Sequence, residues 1–128
     1  MREIQGAARP DRLSVDTRAV DGVRVVVLRG EIDHTVRDRF RQALLPPPGT
    51  AGPRTVADFG GVTFMDSSGI NVLIAAHHAA RDAGGWLRVA GAQESVLRVM
   101  RLVGVDTLVP CYPDAGEAVD GSGEAPGG

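Results

Sequence analysis

The period of the apolar pattern switches along this chain between two and about 3.6 residues, and that alternation restricts the fold more than any single motif. Leu13, Val15, Thr17 and Ala19 alternate with Ser14, Asp16 and Arg18, the signature of a half-buried strand. Asp21-Gly22 follows, a residue pair suited to a two-residue hairpin turn in which both positions need positive φ. Residues 23–28 are nearly continuous apolar and β-branched, as in an interior strand. The domain therefore opens with a hairpin.

The pattern then turns helical. Over residues 35–45, Val36, Phe40, Ala43 and Leu44 share one face while Arg37, Asp38, Arg41 and Gln42 take the others. Asp33 precedes the first turn as a cap, and Pro46-Pro47-Pro48 ends the helix. Residues 55–59 read as a short buried strand. A second helix spans residues 68–82, with Ile70, Leu73, Ile74 and His77 on one face and Gly84-Gly85 as its stop. Residues 86–90 form another strand. A third helix covers 93–103, with Val96, Leu97, Met100 and Val103 inward and Gly104 beyond its end. Residues 107–109 suit a last edge strand, and 114–119 one more helical turn. Strands alternating with helices require parallel pairs with helices laid on the sheet.

The expectation is a single α/β domain with a mixed sheet of four to five strands, opened by the β-hairpin and with helices packed mainly on one face. Residues 1–12 form a flexible arm, 13–119 the domain, and 120–128 a disordered tail of Gly, Ser, Glu, Ala and Pro. A chain of 128 residues can bury roughly two thirds of its unfolded surface, enough for a core without staples. Aromatic residues are scarce, so Val25, Val27, Val36, Phe40, Val56, Leu73, Ile74, Val89, Leu97 and Met100 are expected to be buried together.

Composition removes several function classes. All 14 basic residues are arginine, which excludes a Walker lysine and a Schiff-base lysine in this sequence. A net charge of −2 gives no general attraction to nucleic acid or anionic lipid. One cysteine and three histidines make a poor metal inventory, so no metal and no cofactor are expected. No apolar run approaches the ~20 residues of a membrane span, and the first residues lack the apolar stretch of a signal peptide, so the expected location is the cytoplasm.

The chemistry concentrates in Phe64-Met65-Asp66-Ser67-Ser68-Gly69-Ile70, where a strand ends and a helix begins. Open α/β folds present functional groups at such ends. Asp66, Ser67 and Ser68 are also ordinary helix caps, and spacing alone accounts for them in that way. Yet Asp-Ser-Ser-Gly is longer than a cap requires. Gly69 costs about 1 kcal/mol of helix propensity against alanine, and it removes bulk beside Ser67 where another chain could approach.

Four segments in order carry a family resemblance: Leu28-Arg29-Gly30-Glu31-Ile32-Asp33, Val62 to Ile70 through Asp66-Ser67-Ser68-Gly69, Gly84-Gly85 before a strand, and Leu102-Val103-Gly104-Val105 after the third helix. Together they resemble the STAS domain, in its bacterial anti-anti-sigma factor branch (anti-sigma factor antagonists). The resemblance implies a non-enzymatic module that binds a cytoplasmic anti-sigma serine kinase of the histidine-kinase-like ATPase fold and so frees a sigma factor. It implies that the kinase, with its own ATP and Mg²⁺, phosphorylates Ser67, and that a serine phosphatase reverses this. It places Asp33 beside the phosphoacceptor and gives Asp33, Asp66, Ser67, Ser68 and Gly69 as the partner surface. No direct nucleic-acid or membrane partner is implied. The alternative in another class is a STAS-type sensor that binds a nucleotide or other small ligand.

Other constellations are weaker. Ser67 with His34 and Asp33 lacks the G-x-S-x-G elbow of a hydrolase. His77 and His78 are adjacent on a helix and point about 100° apart, a poor chelate; His77 reads as half-buried packing. Asp58-Phe59-Gly60 is similar to the kinase magnesium motif, but no glycine-rich loop or lysine accompanies it, so it reads as a strand end. Cys111 reads as inert.

Overall fold

The structure, a computed structural model, describes residues 12–121. The expected features of the arm before Arg12 and of the tail after Gly121 lie outside the described residues. Strands β1 (Leu13–Val20) and β2 (Val23–Ile32) form the hairpin, joined at Asp21 (φ 51°) and Gly22 (φ 80°). Both central residues lie in the left-handed region, as Asp-Gly permits. A 3₁₀ turn (His34–Val36) leads into α1 (Arg37–Leu44), followed by β3 (Arg54–Met65), α2 (Ser67–Asp82), β4 (Trp86–Ala90), α3 (Glu94–Leu102), a 3₁₀ turn (Val105–Thr107), β5 (Cys111–Tyr112) and α4 (Ala115–Asp120). Among the described residues the sheet order is β1-β2-β3-β4-β5, antiparallel only at the hairpin.

The fold class is as expected, a mixed five-stranded α/β sheet. The core, however, is two cores. Phe40 and Leu44 of α1, Leu73 of α2 and Val96 and Met100 of α3 pack with Val26, Leu28, Ala57, Phe59 and Val89 on one face of the sheet. Val25 and Val56 point the other way and pack with Ala90, Tyr112 and Ala118 of α4. They are therefore buried apart from Phe40 and Leu73. A strand covered on both faces shows no polar alternation, so its sequence does not reveal which residues share a side. Val27, Val36, Ile74 and Leu97 are half-buried at the margins.

Three further expectations are corrected. The strand expected at 55–59 continues to Met65. Register advances by two residues in β2 and three in β3 between Val27/Asp58 and Arg29/Gly61, and by one against two between Gly30/Val62 and Glu31/Phe64. Each step is a bulge, and Asp58-Phe59-Gly60-Gly61 is the interior of a bulged strand, not its end. Asp58 Oδ1 accepts the Gly60 N–H at 2.9 Å and holds the first bulge. The last edge strand is Cys111–Tyr112, not 107–109. Val105 and Val109 are both buried and joined by a Val109 N–H to Val105 C=O bond of 2.9 Å, a helical spacing that displaces the strand. Finally, Arg12 is no part of a loose arm. Its C=O accepts the Glu31 N–H at 2.9 Å, and Asp120 closes α4 where the tail was expected to begin.

Candidate functional site

Ile32 and Met65 are paired as the last residues of β2 and β3, and the Asp66 N–H donates to the Ile32 C=O at 3.1 Å. The next residue of each strand is an aspartate, so the register brings Asp33 and Asp66 to the same end of the sheet. Each caps a helical turn. Asp33 is extended (φ −131°), and its Oδ1 accepts both the N–H of Thr35, at 2.9 Å, and the Thr35 hydroxyl. Asp66 is extended (φ −104°), and its Oδ1 accepts the Ser68 N–H at 2.8 Å. The short polar side chain of aspartate suits both positions.

Ser67 is the first residue of α2 and is exposed; Ser68 is half-buried behind it. A helix start ordinarily leaves free N–H groups that suit an anion, and here most of them are used. The Ser68 N–H is taken by the Asp66 carboxylate, and the Gly69 and Ile70 N–H groups both donate to the Asp66 C=O, at 3.1 and 3.2 Å. Those donors are committed to the chain itself.

Gly69 also differs from expectation. It is buried, and a Cβ there would lie 2.5 Å from Met65 Cγ, 2.8 Å from Met65 Sδ and 2.9 Å from Ile32 Cγ2. The space that glycine opens is filled by this chain, so it lets α2 start tight against the ends of β2 and β3. It clears no path for another molecule.

The residue that sequence reasoning missed is Arg12. Its Nη1 donates to Asp33 Oδ2 at 2.7 Å and lies 3.4 Å from Glu31 Oε1. Hydrogen bonds from the Thr35 hydroxyl, then from its N–H, and then the charges of Arg12 and His34 hold the Asp33 carboxyl below the usual aspartate range. Asp33 therefore adds little uncompensated negative charge to this end of the domain. The approach of Arg12 depends on Gly30, whose φ of +113° and missing Cβ (which would fall 1.9 Å from the Arg12 C=O oxygen) leave room for the Arg12 backbone. Nothing in the local sequence around Arg12 marks this contact, which spans 21 residues and is made by the hairpin. Phe64, two residues after the second bulge begins, is 49% exposed and is paired with Glu31 in the sheet.

The other chemical groups lie apart. His34 is exposed in its 3₁₀ turn. His77 is half-buried, with Nδ1 unpartnered among the described residues, and burial foremost lowers its pKa. Burial pushes the Cys111 thiol up to about 11, which suppresses the reactive thiolate. Among the described residues no group of three His, Cys, Asp or Glu side chains could hold a metal, and no helix is long and apolar enough to cross a membrane.

Comparison with known proteins agrees with this geometry. The family model described as "Mlab, STAS domain" matches residues 15–110, most of the chain. An anti-sigma F factor antagonist of Paenibacillus polymyxa is 27% identical over 101 residues, 78% of this chain and 86% of that protein. The crystal structure of an anti-sigma factor antagonist from Mycobacterium paratuberculosis superposes with a TM-score of 0.73 at 29% identity, covering 90% of this chain and 97% of that one. A putative anti-sigma factor antagonist from Thermotoga maritima shares the fold, with a TM-score of 0.72 at 21% identity and coverage of 84% and 92%. With a paired-strand end that presents Asp33, Asp66 and Ser67, and with a family match over most of its length, this chain belongs to the STAS domain family.

Proposed function

We propose that this protein is an anti-sigma factor antagonist that docks the Ser67 end of its sheet on an anti-sigma serine kinase, and that phosphorylation of Ser67 breaks the contact. The observation that carries the reading is the placement of Ser67. It is exposed as the first residue of α2, at the shared end of two parallel strands, while Ser68 is half-buried with its N–H engaged by Asp66. The relatives named as anti-sigma factor antagonists support the general role.

In this reading the protein is not itself an enzyme. The partner supplies ATP and Mg²⁺, and the Ser67 Oγ takes the γ-phosphoryl group as ADP leaves. Asp33, Asp66, Ser67 and Ser68 form the contact surface with exposed Phe64 beside them, and Gly69 supports it from beneath. The exchange takes place in the cytoplasm, and a serine phosphatase restores the binding form. A phosphate adds roughly −1.5 to −2 charge. Burying that charge in a close-packed contact without a cation costs several kcal/mol. The Ser68, Gly69 and Ile70 N–H groups are already committed to Asp66, which stands beside it.

The test is incubation with a candidate anti-sigma kinase and ATP, followed by site mapping by mass spectrometry. One phosphate on Ser67 is expected. Phosphate on Ser68 alone would refute the assignment.

A further inference from the structure

A groove lies between α1 and α2. It has a volume of about 260 Å³ and is lined by Arg37, Asp38 and Arg41 of α1 and by Asn71, Val72 and Ala75 of α2. Both helices follow neighbouring parallel strands that end at the paired residues Ile32 and Met65, so they start at one edge of the sheet. Asn71 lies four residues beyond Ser67 on α2, and side chains so spaced are neighbours, about 5–6 Å apart between Cβ atoms. Arg37 lines the groove with Asn71 and opens α1, so of the two arginines that line it Arg37 lies nearer the start of α2.

The two arginines near this end differ in how they are held. Arg12 is committed to Asp33 at 2.7 Å and to Glu31 at 3.4 Å. Arg37 has a side chain 59% exposed, and its contact with Asp38, 4.0 Å from Nε to Oδ1, joins it to a carboxylate that is itself 91% exposed. An exposed pair of that length is a weak tether.

A phosphate on Ser67 would need donors, and the start of α2 has few to offer, since the N–H groups of Ser68, Gly69 and Ile70 are bonded to Asp66. Asp66 itself repels the added charge. We propose that Arg37 is the internal counter-ion of a phosphate on Ser67, swinging from the groove across the first turn of α2 to meet it. This deepens the reading above and rests on Ser67 as the modified residue. The modified form then has a clamp of its own, and Arg37 is withdrawn from the surface that a partner would meet. The charges at this end of the domain are Asp66, which weakens the second ionisation of the phosphate, Asp33 and Glu31, which Arg12 largely compensates, and Arg37, which favours it and is loosely paired with Asp38; His34 stands in the adjoining turn.

The experiment installs phosphoserine at position 67 during translation, so it depends on no kinase, and follows the second ionisation of the phosphate by ³¹P NMR from pH 4 to 8. That ionisation lies at a pKa of about 6 in ordinary phosphoserine. The expected result is a second ionisation about threefold stronger in the parent than in Arg37→Gln, largely restored in Arg37→Lys, and weakened less by Arg12→Gln, which uncovers the Asp33 charge without removing the counter-ion. Equal ionisation in the parent and Arg37→Gln would overturn the proposal. So would a loss that follows Arg12→Gln instead. Because the phosphate is installed directly, either outcome leaves the kinase mapping of Ser67 as a separate test.

Discussion

Substituting Gly69 by alanine separates two explanations of the glycine by the sign of the effect. Gly69 does not require positive φ, so alanine would gain up to about 1 kcal/mol of helix propensity if nothing opposed it. That is the expectation if glycine merely clears a path for a partner. The structure predicts the opposite. The new methyl would sit 2.5 Å from Met65 Cγ and 2.9 Å from Ile32 Cγ2. Met65 is unbranched and can turn aside, but Ile32 is β-branched, fully buried and paired with Met65 in the sheet. Overpacking of this kind typically costs about 1–3 kcal/mol. Taking the middle of that range against the full propensity gain, the net loss is about 1 kcal/mol. With a urea slope of about 1–2 kcal/mol/M for a domain of this size, the denaturation midpoint falls by up to roughly 1 M at an unchanged slope. A midpoint equal to or above the parent's would refute the packing argument and return Gly69 to the partner surface.

Other perturbations have equally definite outcomes. Leu73→Ala empties a fully buried site under α2 and should cost roughly 2–5 kcal/mol by urea unfolding; an unchanged midpoint would reject the packing. The Asp33 carboxyl is held below its unfolded value, so its contribution to stability is complete above the ordinary aspartate pKa and is lost as pH falls through the depressed one. Asp33→Asn should therefore flatten the acid limb of a stability–pH profile, and an unaltered limb would contradict the Thr35 and Arg12 contacts. Cys111, with its thiol raised to about 11, should react slowly with an aromatic disulfide reagent at pH 8 in the folded protein and rapidly in denaturant. Fast labelling of the native form would disprove the burial.

Local chemistry made much of this fold legible. Asp21-Gly22 names its own turn, and the turn sets the β1–β2 register through Val20 and Val23. Gly104, left-handed at φ 80°, stops α3 as its position in the sequence suggests. What stayed hidden depends on other strands. The bulges of β3 exist only against β2, so Gly60-Gly61 reads as a terminus in isolation. The opposite facing of Val25 and Val26 follows from layers on both sides of the sheet. Thr107 to Val109 has strand-like composition, but the burial of Val105 and Val109 together winds it into a helical turn. At the site, Asp66 and Ser67 declare themselves by motif, and Asp33 joins them through strand register. Arg12 reaches Asp33 only because the hairpin folds it back, and the commitment of the α2 donors to Asp66 is a matter of distances that no spacing contains.

The central claim is that charge on Ser67 blocks a surface without remodelling the domain. Its most direct test is calorimetric titration of a cognate anti-sigma kinase with the unmodified and the Ser67-phosphorylated protein, both first verified to unfold cooperatively. The account predicts at least a hundredfold loss of affinity on phosphorylation, about 2.8 kcal/mol, with the fold retained. Equal affinity of the two forms would contradict it.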